Sequence, residues 1–462
     1  MHQFERLRPV GRLEKYSTAR HQVGFYLNVA VTANYILPTG FGLPIKDAAL
    51  RACAAVVAEH PTLSAIPAAD DTQEPYFVRL PTVDLDQVVQ FTSREHGFPN
   101  NVSGKEPSPD QDLESLLQEE HNLPFVAPNA YWRLRVLLDE GDKSQFTAAF
   151  VFHHALGDGS SGKTFHLSFL RALQTLSTTG VTPHKVTSPQ TPLPPNIEEI
   201  HPLPLSFWYL AKKIFQAKIY SPRDPGLWTG SKIQPPTSTR LRLVPFSKFL
   251  VEGLRKCCRQ ETTTVTALMQ TVFARALFAH LPEASTRVNC TGAISCRRFL
   301  PDIITDESIG VYVADIEESY TRSGVSSPSS IWPEARRSRQ TIEAAIARQG
   351  ADAGPNLLKF VNDYQQELCL SKIGQDRDKT FEVSNIGVVS STAKPEDPAI
   401  GGMVFSQCAS VIGNAIGVSI VTGGDGCLTL AITWQECVVE DGLIEECVGF
   451  VRDELRRLAG CA

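Results

Sequence analysis

The chain has 462 residues, of which 42% are hydrophobic and 20% are charged. These proportions are typical of a globular protein and exclude a disordered or fibrous class. The formal net charge of -6 at pH 7 gives no basic footprint for a polyanion, so nucleic acid is not an expected partner. At roughly 100 to 200 residues per domain, the length predicts more than one domain, and we expect two large α/β lobes.

The eleven cysteines are scattered along the chain, without a Cys-x-x-Cys pair or another metal-ligand spacing. Unpaired thiols are typical of reducing compartments, and the first residues contain no apolar segment of the kind that a secretory signal needs. We therefore expect a cytoplasmic protein that holds no metal.

The first part of the chain contains several segments with strand or helix periodicity. We predict strands over Val23 to Tyr35, Tyr131 to Leu138 and Gln145 to His153, and helices over Ile45 to His60, Leu113 to Glu120 and Phe165 to Leu176. The second and third strands should pair antiparallel across a Gly141-Asp142 turn. Residues 1–181 are thus expected to form the first lobe, a mixed sheet flanked by helices.

A proline-rich segment follows, with seven prolines between Thr182 and Pro204. Proline lacks the N–H donor that helices and sheets use, so we expect no regular structure there and assign 182–237 as the linker between the lobes. Within it, Ser206 to Tyr220 predicts a basic aromatic helix. Its apolar face could lie on a membrane and give weak peripheral association. The alternative is a helix packed on the body with its lysines outward.

The remaining residues, 238–462, are expected to form the second lobe. The predicted elements are a strand from Arg240, helices over Phe246 to Arg259, Thr264 to Leu281 and Glu440 to Ala459, a strand over Arg287 to Ile294, and glycine-punctuated strands from Phe381 to Trp434. The stretch Phe405 to Gly424 has no charge, but its polar residues and glycines predict paired strands around turns rather than a membrane span.

The clearest chemical signal lies in Phe150 to Gly159, where an apolar strand ends in two histidines and then turns on glycines. Adjacent strand residues point to opposite faces, so His153 can pack while His154 faces a cleft. An imidazole with an ordinary pKa of about 6.5 can accept and return a proton near neutral pH, so we predict that His154 is a general base. Asp158 can fold back to anchor the turn by pairing with an arginine, and Gly159 permits the tight backbone.

Patterns for some other chemistries are missing from the sequence. It contains no zinc-ligand spacing. The spacing of Gly159-Ser160-Ser161-Gly162 does not match the nucleophile elbow of a serine hydrolase. The string Gly423-Gly424-Asp425-Gly426 predicts a hairpin turn, since no helix follows that could make it a phosphate loop.

The string His-His-x-x-x-Asp-Gly resembles the signature of the chloramphenicol-acetyltransferase-like superfamily of coenzyme-A-dependent acyltransferases and condensation domains. Within that superfamily, the chain is most similar to the fungal alcohol acetyltransferase family, and the similarity covers nearly the whole sequence. The other matching segments are Arg8 to Tyr16 with Arg20, Gly24, Tyr26 and Asn28 after it, Leu227 to Gly230, Cys296 to Pro301, Ile309 to Tyr312, Phe381 to Gly387, and Leu430 to Gln435.

The resemblance implies two chloramphenicol-acetyltransferase-like lobes with an active-site tunnel between them. It implies direct transfer of an acyl group, most simply acetyl, from acyl-CoA to the hydroxyl of a small-molecule alcohol such as a secondary metabolite. His154 would be the base and Asp158 the structural aspartate, with His153 and Gly159 completing the motif. Acyl-CoA is expected as a co-substrate that enters from one mouth, with no bound cofactor, and the enzyme is expected to be a monomer.

Several assignments stay open. Ser384 and Asn385 are candidates for stabilising the oxyanion of the tetrahedral intermediate, and the alternative is that they mark a turn at a strand end. Arg297 is the candidate partner of Asp158 across the lobes, whereas one of the two adjacent arginines is expected to be only a solvated charge. The alternatives to O-acyl transfer are N-acyl transfer, carrier-dependent condensation, and reuse of the fold for binding or a lyase reaction.

Overall fold

The computed structural model describes residues 4–99, 106–218, 223–389 and 394–460. The strands are β1 (Glu5–Pro9), β2 (Val29–Ile36), β3 (Ala65–Ala68), β4 (Tyr76–Arg79), β5 (Thr82–Asp84), β6 (Val89–Ser93), β7 (Trp132–Leu138), β8 (Gln145–Phe152), β9 (Lys185–Thr187), β10 (Thr239–Phe246), β11 (Arg287–Ser295), β12 (Val313–Thr321), β13 (Phe381–Val388), β14 (Ala399–Gln407), β15 (Ile416–Thr422) and β16 (Leu428–Gln435). The α-helices are α1 (Arg12–Gln22), α2 (Ile45–Glu59), α3 (Leu85–Val88), α4 (Gln111–Glu120), α5 (Gly159–Thr175), α6 (Ile197–Ile200), α7 (Phe207–Lys218), α8 (Lys248–Gln260), α9 (Val265–His280), α10 (Arg322–Val325), α11 (Ile331–Ala347), α12 (Tyr364–Leu368) and α13 (Asp441–Leu458).

The first large sheet has five strands in the order β6-β7-β8-β2-β14. The predicted antiparallel pair is present as β7 and β8, with Trp132 opposite Phe152, while β6 runs parallel to β7. Helices α2 and α5 pack against each other, and α5 also contacts β2. The apolar face of α5 is buried through Phe165, Phe169 and Leu173, as its helical spacing predicts.

The second large sheet has six strands in the order β10-β16-β15-β13-β11-β12. β13 runs parallel to both β11 and β15, whereas the other pairs are antiparallel. Both large sheets are therefore mixed, which confirms the predicted fold class. Helix α9 is buried along most of its length between α11 and α13, because its residues are apolar on nearly every side. The hairpin from β15 to β16 turns at Gly423 to Gly426, and Gly426 has a φ of +83°.

Strand β14 crosses from the second half of the chain into the first sheet. It pairs antiparallel with β2, with Phe405 opposite Val31, and its residues belong to the core of the first lobe. The pairing predicted within Phe405 to Gly424 is therefore wrong, since β14 and β15 lie in different sheets. No helix in the described ranges is long and apolar enough to cross a bilayer. The second half of the chain therefore supplies a strand of the first sheet.

The proline-rich segment contains short regular elements. β9 pairs with β5, and Asn196 caps the single turn of α6 by accepting a hydrogen bond from the backbone N–H of Glu199 at 3.1 Å. The expectation that Thr182 to Pro204 lacks regular structure is therefore wrong at these two places. Helix α7 follows as predicted, and the last two residues of its predicted range lie outside the described residues.

Helix α1 is a buried element that apolar periodicity does not reveal. Its inward residues are mostly polar, including Glu14, Ser17, Thr18 and His21, so it has no apolar stripe to detect. Glu14 is held by Arg8, whose Nη1 and Nη2 donate to its two carboxylate oxygens at 2.7 Å. This polar anchoring brings Tyr16, Ser17 and Arg20 to the cavity between the lobes.

Candidate active site

The two histidines after β8 lie on opposite sides of the chain, as predicted. His153 is buried beside the rings of His21 and Tyr131, with centroid distances of 4.6 and 5.3 Å, and its Nδ1 accepts a hydrogen bond from the backbone N–H of Ala155. His154 instead lines a cavity of about 330 Å³ whose walls come from both lobes. The geometry thus separates a packing histidine from one that faces the cavity.

The surroundings of His154 favour its neutral form. Burial lowers the pKa of His154 below its ordinary value, and the positive charge of Arg20 lowers that pKa further. Its own backbone carbonyl and the charges of Asp158 and Glu382 act in the opposite direction. No other residue in the described ranges forms a hydrogen bond with its buried Nδ1. A neutral imidazole beside a cavity can accept a proton, which is the requirement for a general base.

Asp158 forms a buried ion pair with Arg297 of the other lobe. Nη1 of Arg297 donates to Oδ2 at 2.7 Å and Nη2 donates to Oδ1 at 3.0 Å, with both side chains at most 2% exposed. Oδ1 also caps α5 by accepting from the backbone N–H of Ser161, and Oδ2 accepts from the backbone N–H of Tyr312. Burial by itself would raise the pKa of Asp158, but the charge of Arg297 and these hydrogen bonds hold it below its ordinary value.

These contacts join Asp158 and Arg297 as the sequence predicted, and they occupy both carboxylate oxygens with protein donors. The adjacent Arg298 is exposed, so only one of the two arginines enters the pair. The geometry favours an anchoring role for Asp158 over direct contact with substrate.

Gly159 is needed for space. A Cβ atom at this position would lie 2.6 Å from Cγ2 of Ile386 and 2.9 Å from Cζ of Phe405. Its φ is not in the left-handed region. The glycine is therefore required by the close approach of these two side chains, and not by the special backbone conformation that the sequence predicted. Because Ile386 belongs to β13 and Phe405 to β14, this contact brings the start of α5 against the second half of the chain.

Ser384 and Asn385 lie on β13 and line the cavity with His154. The Ser384 hydroxyl donates to Oε1 of Glu382 at 2.5 Å. Nδ2 of Asn385 donates to the Thr266 hydroxyl at 3.0 Å, and its Oδ1 accepts from the backbone N–H two residues later at 2.8 Å. The register with β15 is irregular after Asn385. Asn385 thus agrees with both alternatives drawn from the sequence, because it lies at an irregularity near the strand end and also lines the cavity.

Arg20 and Glu382 are charged residues of the cavity to which the sequence assigned no role. Arg20 stacks on the rings of Tyr16 and Tyr26, at 4.1 and 4.2 Å from their centroids. Its Nε is buried without a partner, and no carboxylate in the described residues forms a salt bridge with it. Glu382 accepts from Nδ2 of Asn414 at 2.7 Å. The family resemblance includes Arg20 and Tyr26, but apolar periodicity cannot indicate that α1 brings them to the cavity.

A second cavity of about 670 Å³ adjoins the first, and the two share Ser160, Asn385 and Ile386 in their walls. Lys163 and Arg298 line the second cavity, and Nζ of Lys163 donates to the Ile386 carbonyl at 3.2 Å. The two cavities therefore lie side by side, and the second is lined by these cationic groups together with Asp306.

The sequence matches the model of the alcohol acetyltransferase family over residues 9–453. The chain belongs to the alcohol acetyltransferase family. It is 32% identical to the probable alcohol acetyltransferase crmB of Aspergillus fumigatus, over 94% of this chain and 96% of that relative. It is 24% identical to the probable alcohol acetyltransferase FCK4 of Fusarium pseudograminearum, over 97% of this chain and 94% of that relative. The predicted family is thereby confirmed, and the protein is an acyltransferase.

Solved structures with similar folds include the TRI3 trichothecene 15-O-acetyltransferase of Fusarium sporotrichioides, with a TM-score of 0.71 and 14% identity over 98% of this chain and 94% of that chain. They also include the condensation domain of the Monacolin K polyketide synthase MokA, with a TM-score of 0.63 and 11% identity over 98% of this chain and 97% of that chain. At such low identity the likeness shows the fold alone. It confirms the expected two-lobed architecture.

Replacement of Asp158 by Asn would leave the Arg297 guanidinium buried without its negative partner. We expect the free energy of unfolding to fall by about 3 to 5 kcal/mol, measured by urea denaturation, with activity falling in parallel. Asp110→Asn is the matched control, because Asp110 also caps a helix and pairs with an arginine, Arg94, but is 16% exposed and does not line the His154 cavity. Lost activity in Asp158→Asn with unchanged stability would contradict the anchoring role.

Proposed function

We propose that this enzyme transfers an acetyl group from acetyl-CoA directly to the hydroxyl of a small-molecule alcohol, with His154 as the general base. The observation that carries the proposal is a neutral imidazole facing the cavity between the lobes, beside the motif anchored by Asp158. The names of the relatives, and an O-acetyltransferase of similar fold, support an alcohol as the acceptor.

In the proposed reaction, the alcohol oxygen attacks the thioester carbonyl carbon while His154 takes the hydroxyl proton. The carbon–oxygen bond forms and the carbonyl oxygen becomes an oxyanion. When the tetrahedral intermediate collapses, the carbon–sulfur bond breaks and the imidazolium returns the proton to the leaving thiolate. No hydroxyl or thiol in the described residues forms a hydrogen bond with His154, which supports attack by the alcohol itself rather than by an enzyme nucleophile.

Asn385 is the better of the two oxyanion candidates. An amide has two N–H donors, and Thr266 takes only one of those of Asn385. The Ser384 hydroxyl has a single donor, which Glu382 already accepts. A fixed donor that stabilises the oxyanion is worth about 3 to 4 kcal/mol of barrier.

The second cavity supports an entry route for acetyl-CoA. The phosphates of coenzyme A require cationic partners, which Lys163 and Arg298 offer there. The alcohol would then approach from another side of the His154 cavity, where Asp315, Pro355 and Lys379 form part of the wall.

Replacement of His154 by Ala should lower product formation by about 10²- to 10⁴-fold, because the base is lost, with the melting temperature retained. Products would be measured by mass spectrometry after incubation of the wild-type enzyme with acetyl-CoA and a panel of fatty, terpenoid and polyketide alcohols, and the same acceptor would be used for the variant. The exposed His184 provides the control, since His184→Ala should retain full activity. Undiminished turnover in His154→Ala would overturn the base assignment.

Replacement of Arg20 by Gln tests the electrostatic environment of the base. Because the charge of Arg20 lowers the pKa of His154, its removal should raise that pKa and move the acidic limb of the kcat/KM profile to higher pH. Activity should therefore fall more at pH 6 than at pH 8. Arg20→Lys keeps the charge and should leave the limb close to its wild-type position. An unmoved limb in the Gln variant would show that Arg20 does not act on the base.

Replacement of Arg298 by Gln tests the coenzyme A route. We expect the KM for acetyl-CoA to rise roughly tenfold, equivalent to about 1.4 kcal/mol, with kcat and the KM for the alcohol nearly unchanged. Steady-state kinetics with each substrate varied in turn would measure this. Arg456→Gln, on the surface of α13, is the control. An unchanged KM for acetyl-CoA would exclude Arg298 from its binding.

A further inference from the structure

Helix α7 turns its apolar face to solvent. Phe207 is 74% exposed, Trp208 80%, Ile214 47% and Phe215 50%. Residues seven positions apart lie nearly in line along a helix, and adjacent residues are about 100° apart around it, so these four side chains form one broad outward stripe. A surface helix of a globular protein normally buries such a stripe. Lys212 is exposed as well, so the helix presents both apolar and basic side chains to solvent.

Polar contacts hold the other side of the helix on the body. Nζ of Lys213 lies 3.4 Å from Oε2 of Glu317, and Tyr209 is half-buried. At the start of the helix, the backbone N–H and hydroxyl of Ser206 donate to the carboxylate of Asp352 at 2.6 and 2.8 Å. The inward side is therefore fixed by an ion pair and a cap, which leaves the apolar side facing outward.

The helix borders the cavity that contains His154. Glu317, which pairs with Lys213, also pairs with Lys379 through its other oxygen. Lys379 and Asp315 line that cavity together with His154. The apolar stripe therefore lies beside the side of the cavity that we assign to the alcohol.

The charges around the stripe suit an anionic surface. Lys212 is exposed between Trp208 and Phe215 on the outward side, and Arg348 is exposed four residues before Asp352. The acidic groups next to the helix are already engaged by donors, as described for Ser206 and Lys213. Exposed aromatic and aliphatic side chains with flanking cations are the composition of helices that lie in a bilayer interface.

The exposed area favours a lipid surface over a folded partner. Aromatic side chains bury about 150 to 250 Å² each, so the stripe offers on the order of 500 Å² at the exposures given above. A stable protein interface requires about 800 Å² from each partner. An interfacial helix has no such threshold, because its binding grows with each apolar side chain inserted and each cation placed near anionic headgroups.

We propose that α7 binds the surface of an anionic phospholipid bilayer through Phe207, Trp208, Ile214 and Phe215, with Lys212 directed at the headgroups. This contact places the alcohol side of the cavity next to the membrane. The binding is independent of catalysis, so its test does not depend on the proposed reaction.

The full-length protein would be sedimented with vesicles of phosphatidylcholine and phosphatidylserine in equal parts, and with vesicles of phosphatidylcholine alone. We expect binding to the mixed vesicles, a blue shift of tryptophan emission, and at least a tenfold loss of binding in the double variant Phe207→Ser, Trp208→Ser. Phe249→Ser is the matched control, because Phe249 is 73% exposed on α8 and should bind like the wild type. Thermal melting would check that each variant folds.

Three outcomes would overturn the proposal. The wild type could remain in the supernatant with both kinds of vesicle. The double variant could sediment as well as the wild type. Alternatively, the wild type could elute as a dimer and the double variant as a monomer during gel filtration, which would assign the stripe to a contact between two copies of the chain.

Discussion

The buried ion pair between Asp158 and Arg297 is the constraint on which the site depends. Both side chains are buried, and within the described residues neither forms another salt bridge. In a low-dielectric interior, an uncompensated charge is costly, whereas the intact pair adds little net stability. Because the loss of either partner is costly, the pair favours the arrangement in which the end of β11 meets the start of α5. His154 lies four residues before this junction.

A second tie between the halves of the chain comes from the backbone. β14 completes the first sheet beside β2, and Phe405 on this strand lies so close to Gly159 that a Cβ atom there would clash with its ring. β13, in the second sheet, contributes Ile386 to the same contact. Strands of both sheets thus contribute to the walls of the His154 cavity. Movement of one lobe relative to the other would therefore disturb the cavity around the proposed base.

Sequence reasoning succeeded where the determining interactions are local. Periodicity and adjacent residues predict the strand that leads to His153 and His154, the opposite sides on which these histidines lie, and the apolar stripe of α5. It failed for β14, because an uncharged strand does not specify which sheet edge it joins. It also missed α1, whose buried face is polar and held by Arg8 through Glu14. Arg20 lies on that helix. The family resemblance includes this residue, but periodicity could not predict its position at the cavity.

Arg20 and Arg297 differ in their surroundings. The charge of Arg297 is matched by Asp158 at hydrogen-bond distance, and the charge of Asp158 raises the pKa of His154. Arg20 stacks on the faces of two tyrosines and forms no salt bridge within the described residues; its charge lowers the pKa of His154, whereas the charge of Glu382 raises that pKa. A lower pKa keeps an imidazole neutral over a wider pH range but also makes it a weaker base, and a general base acts best when the two effects balance near the operating pH. Because Arg20 and Glu382 both line the cavity, the two charges that shift the pKa of His154 in opposite directions lie in the same cavity as its imidazole.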